Sequence, residues 1–428
     1  MRTSSPRSAD ARIGCAALRV ALDRATPRDL QALLQTQGDA CIPDRFVAWC
    51  RYQGIVPSVA RVLARIDDPV AQRLHHGLQP HSQTIAGASL LQAEALREIL
   101  ACLAAHDIDV IPLKGVGLDV RCYGGPGRRK DGDHDLLVRP QQLADAVRAV
   151  REIGYERGHA PKVDPNLPAE RWADEIAIHH GPPLVKHDGP MPSWIEFHWD
   201  VAPETEGLPF RSPRRLTEAL WKRSRAETLL DVPIRQLAPS DEVLYLCVHA
   251  IRHLSWHGAG LSVRLAMLED IARRAWHAPR PDWQTVAARA EELGPFHVLA
   301  PIRYLWTAAL GAPSGTLVPH DVLADMPWPR SAWKQRVLSP RVLLGDASVP
   351  GWAHAADRTY IEKAHRVLMH SVLLHNARDR WRLLQEELLA PLVTVSEADR
   401  QHVPPGVPDA AVLPLRWARL GWKALRSR

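Results

Sequence analysis

Residues 110–155 read VIPLKGVGLDVRCYGGPGRRKDGDHDLLVRPQQLADAVRAVREIGY, and this stretch changes its hydrophobic period several times. Asp109–Leu113 is short, apolar and rich in β-branched residues, the pattern of a buried strand, and it runs into Gly115. Asp135–Val138 is a second short apolar run, bounded by Gly132 and Pro140. From Gln141 to Ile153 the apolar residues Leu143, Val147 and Val150 recur at helical spacing, with Gly154 placed as a C-cap. Farther on, Trp194–Trp199 alternates and is aromatic, a third strand. A strand, helix, strand, helix, strand order predicts an α+β core with a small mixed sheet over 101–215. Pro112 inside the first strand predicts an edge position or a bulge there.

The flanks read as helix. Over 1–100 the reading is helical, and in 84–105 Leu96, Ile99, Leu100 and Leu103 mark one buried face. Over 216–310 Ser240 reads as an N-cap with Asp241 and Glu242 in the first turn, ahead of Val243, Leu244, Leu246, Cys247 and Ile251. Further helices are expected at 262–276, 284–293 and 295–309. Residues 311–428 form a C-terminal extension: a Pro-rich passage to about 353, amphipathic helix over 358–392, a break at 402–408 and a short basic end.

Hydrophobic residues make up 46% and charged residues 24%, which excludes a disordered or collagenous chain. Lys and Arg number 54 against 48 Asp and Glu, a net charge of +6; this permits a polyanionic partner without demanding one. The six cysteines form no CxxC pair, which argues against a thiolate zinc site and fits reduced thiols in a cytoplasmic protein. The N-terminus shows no secretory h-region, and no run of 18 or more apolar residues predicts a membrane span.

Chemistry concentrates in GDHDLLV, Gly132 to Val138. Asp133 and Asp135 stand two apart in a strand-like segment, so both point to one face. Two carboxylates that close repel unless a cation lies between them, and hard divalent ions take oxygen ligands of this kind. By itself the triplet fits a solvated turn equally well. Its surroundings favour the first reading. Lys114 and Gly115 close the first strand, where a glycine lets a phosphate approach backbone N–H groups and a lysine adds a point charge. Arg129 is a second phosphate ligand candidate. Glu196 sits mid-strand between Trp194, Phe197 and Trp199, where a carboxylate either pairs with a cation or lies on an edge strand facing solvent.

Together, Leu113-Lys114-Gly115, the run R-x-x-G-D-x-D-h-h-V from Arg129 to Val138, Gly154-Tyr155, and the later Glu196-x-His198-Trp199 resemble the uncharacterised nucleotidyltransferase family of bacteria. That family lies in the DNA polymerase β-like nucleotidyltransferase superfamily. His249, His253 and Asp270-Ile271 match its downstream helices, and the resemblance covers about residues 40–310. It implies a polymerase-β-like core in which Asp133, Asp135 and Glu196 bind Mg²⁺ (or Mn²⁺). It also implies that Lys114, Gly115 and Arg129 bind phosphates and that 216–310, with His249 and His253, closes the nucleotide cleft. The activity implied is transfer of a nucleoside monophosphate from an NTP, with ATP expected, to a hydroxyl or phosphate acceptor on a small molecule, peptide or protein, with release of pyrophosphate. A nucleic acid partner is not expected.

Two other readings stand beside it. His249, His253 and His257 fall at i, i+4 and i+8 on one helix face, the spacing of a zinc hydrolase stripe, although no HExxH glutamate accompanies them. His179, His180 and His198 lie in the sheet region as a phosphate contact, a base, or structural histidines. At 413–428, Arg416, Arg419, Lys423 and Arg426 oppose Leu413, Trp417, Leu420 and Ala424, so the tail suits peripheral membrane contact or docking on the protein. A non-catalytic polyanion- or membrane-surface-binding protein on a relict nucleotidyltransferase fold would use that tail.

Overall fold

A computed structural model describes residues 8–130, 132–159, 164, 166–175, 180–201, 213–252, 264–292 and 298–310, with isolated positions at 381, 412 and 414. The expectations for His179, His253, His257 and the tail 413–428 therefore fall wholly or almost wholly outside the described residues.

Four helices open the chain: α1 (Ala9–Ala21), α2 (Pro27–Gln37), α3 (Pro43–Gln53) and α4 (Val56–Leu63). Helix α2 starts on a capping box, in which Thr26 Oγ1 accepts from the Asp29 amide and Asp29 Oδ2 accepts from the Thr26 amide. Helix α5 (Pro69–Ala105) starts on Asp68, whose side chain accepts from the amides of Val70 and Ala71. It runs through Pro80 to the buried face predicted at Leu96, Ile99, Leu100 and Leu103.

The core follows as β1 (Val110–Pro112), the short turn α6 (Val116–Leu118), β2 (His134–Val138), α7 (Leu143–Glu152), β3 (Glu156–Arg157), α8 (Trp172–Glu175), β4 (Leu184–Lys186) and β5 (Ser193–His198). The sheet order is β1-β2-β5-β4-β3, mixed, with β2 and β5 parallel and the other pairs antiparallel. The fold class is α+β, and β1 is an edge strand, as Pro112 requires. Gly154 ends α7 at φ 92, where the Tyr155 amide donates to Val150 O.

After α9 (Pro213–Arg223) comes a hairpin that the helical reading of 216–310 did not contain: β6 (Arg225–Leu229) and β7 (Val232–Gln236). Its two-residue turn is Leu230-Asp231, with φ 52 and 63. Such turns ordinarily announce themselves as Asn-Gly or Asp-Gly, and here no such signal exists. Helices α10 (Pro239–Arg252), α11 (Leu265–Trp276), α12 (Trp283–Glu292) and α13 (Leu299–Leu310) complete the described chain. Ser240 does not sit outside α10 as a cap but within its first turn, and its hydroxyl accepts instead from the Asp282 amide at 3.0 Å.

Strand alternation sorts the core onto two faces of the sheet. Val110, Leu136, Val138, Ile195 and Phe197 pack with α7 and the second half of α5. Ile111 and Leu137 face the other way, into a single hydrophobic cluster shared by α1–α4 and α10–α13. Asp135 lies on the strand face of Leu137, which turns it toward this helical body. The charges there are paired: Asp241 with Arg223 and Arg289, and Glu242 with Arg121 and Arg274.

Candidate active site

The site is built by two neighbouring parallel strands. Asp135 of β2 is the register partner of Glu196 of β5, and His198 follows two residues after Glu196 on the same face. Asp133 precedes β2 by one residue and is more exposed. Lys114 enters from the end of β1, held there by the Leu113 amide donating to Asp135 O at 3.0 Å. Its Nζ lies 3.1 Å from Asp133 Oδ1 and pairs with Asp135 Oδ2, so one cation bridges both acids. The expectation from sequence is a divalent ion between the two aspartates, with Lys114 on phosphate; in this structure the cation between them is Lys114 itself.

On its other side Asp135 meets an imidazole: His198 Nε2 lies 2.8 Å from Asp135 Oδ1. Both side chains are buried, at 5% and 3% exposure. Glu196 Oε2 is 3.9 Å from His198 Nε2 and 3.8 Å from His180 Nδ1. The ligand atoms of Asp135, Glu196 and His198 all lie within 4.8 Å of one another, and this is the group able to hold a metal ion among the described residues.

Electrostatics separate the two carboxylates. Burial works against charge on Asp135, but the Lys114 ammonium and the His198 hydrogen bond outweigh it and hold the carboxyl well below its ordinary range. Burial likewise opposes charge on Lys114, but Asp135 and Asp133 raise it above the usual lysine value. Glu196 is pushed up by burial and then by Asp135 and Asp133, with His180 opposing. The site thus holds one carboxylate kept firmly charged and another made more basic, a division suited to a ligand and a proton acceptor.

His134 points to the opposite face, and burial pushes its imidazole down to about 4 from 6.5. The unfolded chain therefore takes up a proton near pH 6.5, while the folded chain does not until about pH 4. Stability present above pH 6.5 is lost as pH falls through this window, by about 3 kcal/mol when complete. Urea denaturation of wild type and His134→Gln between pH 7 and pH 4 should show a shallower decline in the variant.

Gly115 stands at φ 71 and ψ −140, a conformation close to glycine-only, and opens α6, whose Leu118 amide donates back to Gly115 O at 3.0 Å. Gly115→Ala is expected to cost about 1–3 kcal/mol in urea denaturation and to displace Lys114 next door. Arg129 makes a two-pronged pair with Asp270 of α11, 2.8 Å at each contact, and Tyr123 also donates to Asp270 Oδ1 at 2.6 Å. This places Arg129 at the junction of the core and α11. His249 stacks on Tyr245 of α10, ring centroids 6.0 Å apart, and lies outside the metal-capable group.

A family model described as "Uncharacterised nucleotidyltransferase" matches residues 41–311, well over half of the chain. The chain belongs to this family. The match begins before α3 and ends after α13, and so spans every residue of the candidate site described above. It supports nucleotidyl transfer as the general activity. Neither the curated proteins nor the solved structures give a match to the chain. No helix among the described residues is long and apolar enough to cross a membrane, and none of the six cysteines forms a disulfide.

Proposed function

We propose that this chain moves a nucleoside monophosphate from an NTP, with ATP the expected donor, to a hydroxyl or phosphate acceptor on a small molecule, peptide or protein. The observation that carries the reading is the register of Asp135 against Glu196, with Asp133 tied to the same point through Lys114. The donor set fits a divalent cation: two carboxylates and an imidazole converge within 4.8 Å, and the site already concentrates negative charge strongly enough to bury a lysine in it. Asp133, Asp135 and Glu196 would hold Mg²⁺ or Mn²⁺. A bound divalent ion neutralises triphosphate charge and makes the acceptor oxygen more acidic.

The chain's own groups account for the remaining work. Lys114, freed from the aspartates, reaches phosphate oxygens, and Gly115 leaves room for them beside the backbone. Arg129, His249 and His253 are assigned to the nucleotide side of the cleft. The acceptor oxygen bonds to the α-phosphorus as the bond between that phosphorus and the bridging oxygen breaks, and pyrophosphate leaves. The acceptor's proton passes to Glu196, the carboxylate assigned to the acceptor side. Most of the rate comes from positioning and charge.

The test is pyrophosphate release from each of the four common NTPs with divalent metal, over a panel of sugar, peptide and phosphate acceptors. Metal-dependent release with at least one pair supports the reading. Release that is equal with and without chelator contradicts it.

A further inference from the structure

The metal-capable group contains a nitrogen that an all-oxygen site lacks. We propose that His198 Nε2 is a direct ligand, and that the site therefore takes a first-row transition ion such as Mn²⁺ in preference to Mg²⁺. The inference rests on the divalent-metal reading above.

The geometry argues for it. Metal–ligand bonds of about 2.0–2.2 Å place neighbouring ligand atoms of one shell about 3 Å apart and opposite ones about 4 Å apart. Nε2 lies 2.8 Å from Asp135 Oδ1 and 3.9 Å from Glu196 Oε2, and the whole set fits within 4.8 Å. His198 Nε2 thus already stands from each carboxylate at a separation found within one coordination shell. Strand alternation brings His198 there: Glu196 and His198 share a face of β5, and Asp135 lies across the parallel ladder.

Ligand chemistry points the same way. Mg²⁺ prefers oxygen, demands a regular octahedron and gives up its waters reluctantly. Imidazole suits first-row transition ions, with affinity rising from Mn²⁺ through Fe²⁺ and Co²⁺ to Ni²⁺ and Cu²⁺, so Mn²⁺ is the weakest-binding member of the class and serves as its paramagnetic probe. His198 and Asp135 are 5% and 3% exposed, while Glu196, at 27%, leaves the group open on its own side. His180 borders the same point, its ring centroid 5.2 Å from that of His198 and its Nδ1 3.8 Å from Glu196 Oε2.

The rival role for His198 is to orient Asp135 by a hydrogen bond without touching the ion. Pulsed electron paramagnetic resonance on the full chain loaded with Mn²⁺ separates the two. A directly bound imidazole gives a strong nitrogen coupling in the wild-type spectrum, which is lost in His198→Gln. Calorimetry should show Mn²⁺ binding at least tenfold tighter than Mg²⁺ in wild type, with that ratio reduced to threefold or less in the variant. Bound Mn²⁺ without strong nitrogen coupling overturns the inference and leaves the nucleotidyl-transfer reading intact. No binding of either ion, with or without NTP, overturns both. Because the wild-type spectrum decides the first point alone, poor folding of His198→Gln does not protect the proposal.

Discussion

Asp135→Asn should lower NTP turnover by at least a thousandfold and also weaken the fold. The residue is 3% exposed and carries two partners, Lys114 on one oxygen and His198 on the other. Removing its charge withdraws one metal ligand. It also strands a buried ammonium whose remaining counter-ion, Asp133, is partly solvated. Breaking one side of a buried pair costs about 3–5 kcal/mol, because the surviving charge stays buried. The two consequences are separable. Lys114→Met added to Asp135→Asn removes the stranded charge, and the double variant should regain most of the lost stability in urea denaturation. It should not regain turnover. If the double variant recovers turnover as well, the loss in Asp135→Asn came from misfolding, and Asp135 is a structural partner of Lys114.

Glu196→Gln should lower the catalytic constant by several orders of magnitude and leave NTP affinity within about threefold of wild type, as expected of an interaction made only in the transition state. Glu196 comes from β5, separate from the segment carrying Asp133 and Asp135, and its carboxylate is the more exposed of the buried pair, 27% against 3%. That position suits the acceptor side of the reaction. A carboxylate there can take a proton, and the amide of Gln keeps the size while removing that capacity. Turnover and NTP affinity measured on one preparation decide the matter. Equal loss of affinity in Glu196→Gln and Asp135→Asn would assign Glu196 to the nucleotide or to the fold.

Much of this site could be read from the chain. Asp135 and Glu196 stand in short apolar or aromatic runs bounded by turn residues, and period-2 alternation predicts their faces without any partner. Pro112 predicts an edge position or a bulge for β1, because a missing N–H is tolerated at either, and the sheet order shows the edge. Other features had no local trace. The β6–β7 hairpin turns on Leu230-Asp231, residues that rarely take positive φ, so its turn looked like ordinary chain. Arg129 reads as a phosphate ligand beside an acidic motif, yet its partner Asp270 lies far along the chain on α11. Sequence spacing says nothing of such a pair. The same limit hid the joining of α1–α4 with α10–α13 in one hydrophobic cluster. His198 was visible as a same-face neighbour of Glu196, but its contact with Asp135 depends on the parallel register of β2 and β5. That register is set by the whole sheet.

The most direct measurement follows the label of a donor NTP that supports turnover. With wild-type protein, divalent metal and a responsive acceptor, a phosphorus label in the α-phosphate should appear in the acceptor product, and a label in the γ-phosphate should appear only in pyrophosphate. Transfer of the γ-label to the acceptor, or release of labelled orthophosphate without any transfer of the α-label, would contradict nucleotidyl transfer at this site.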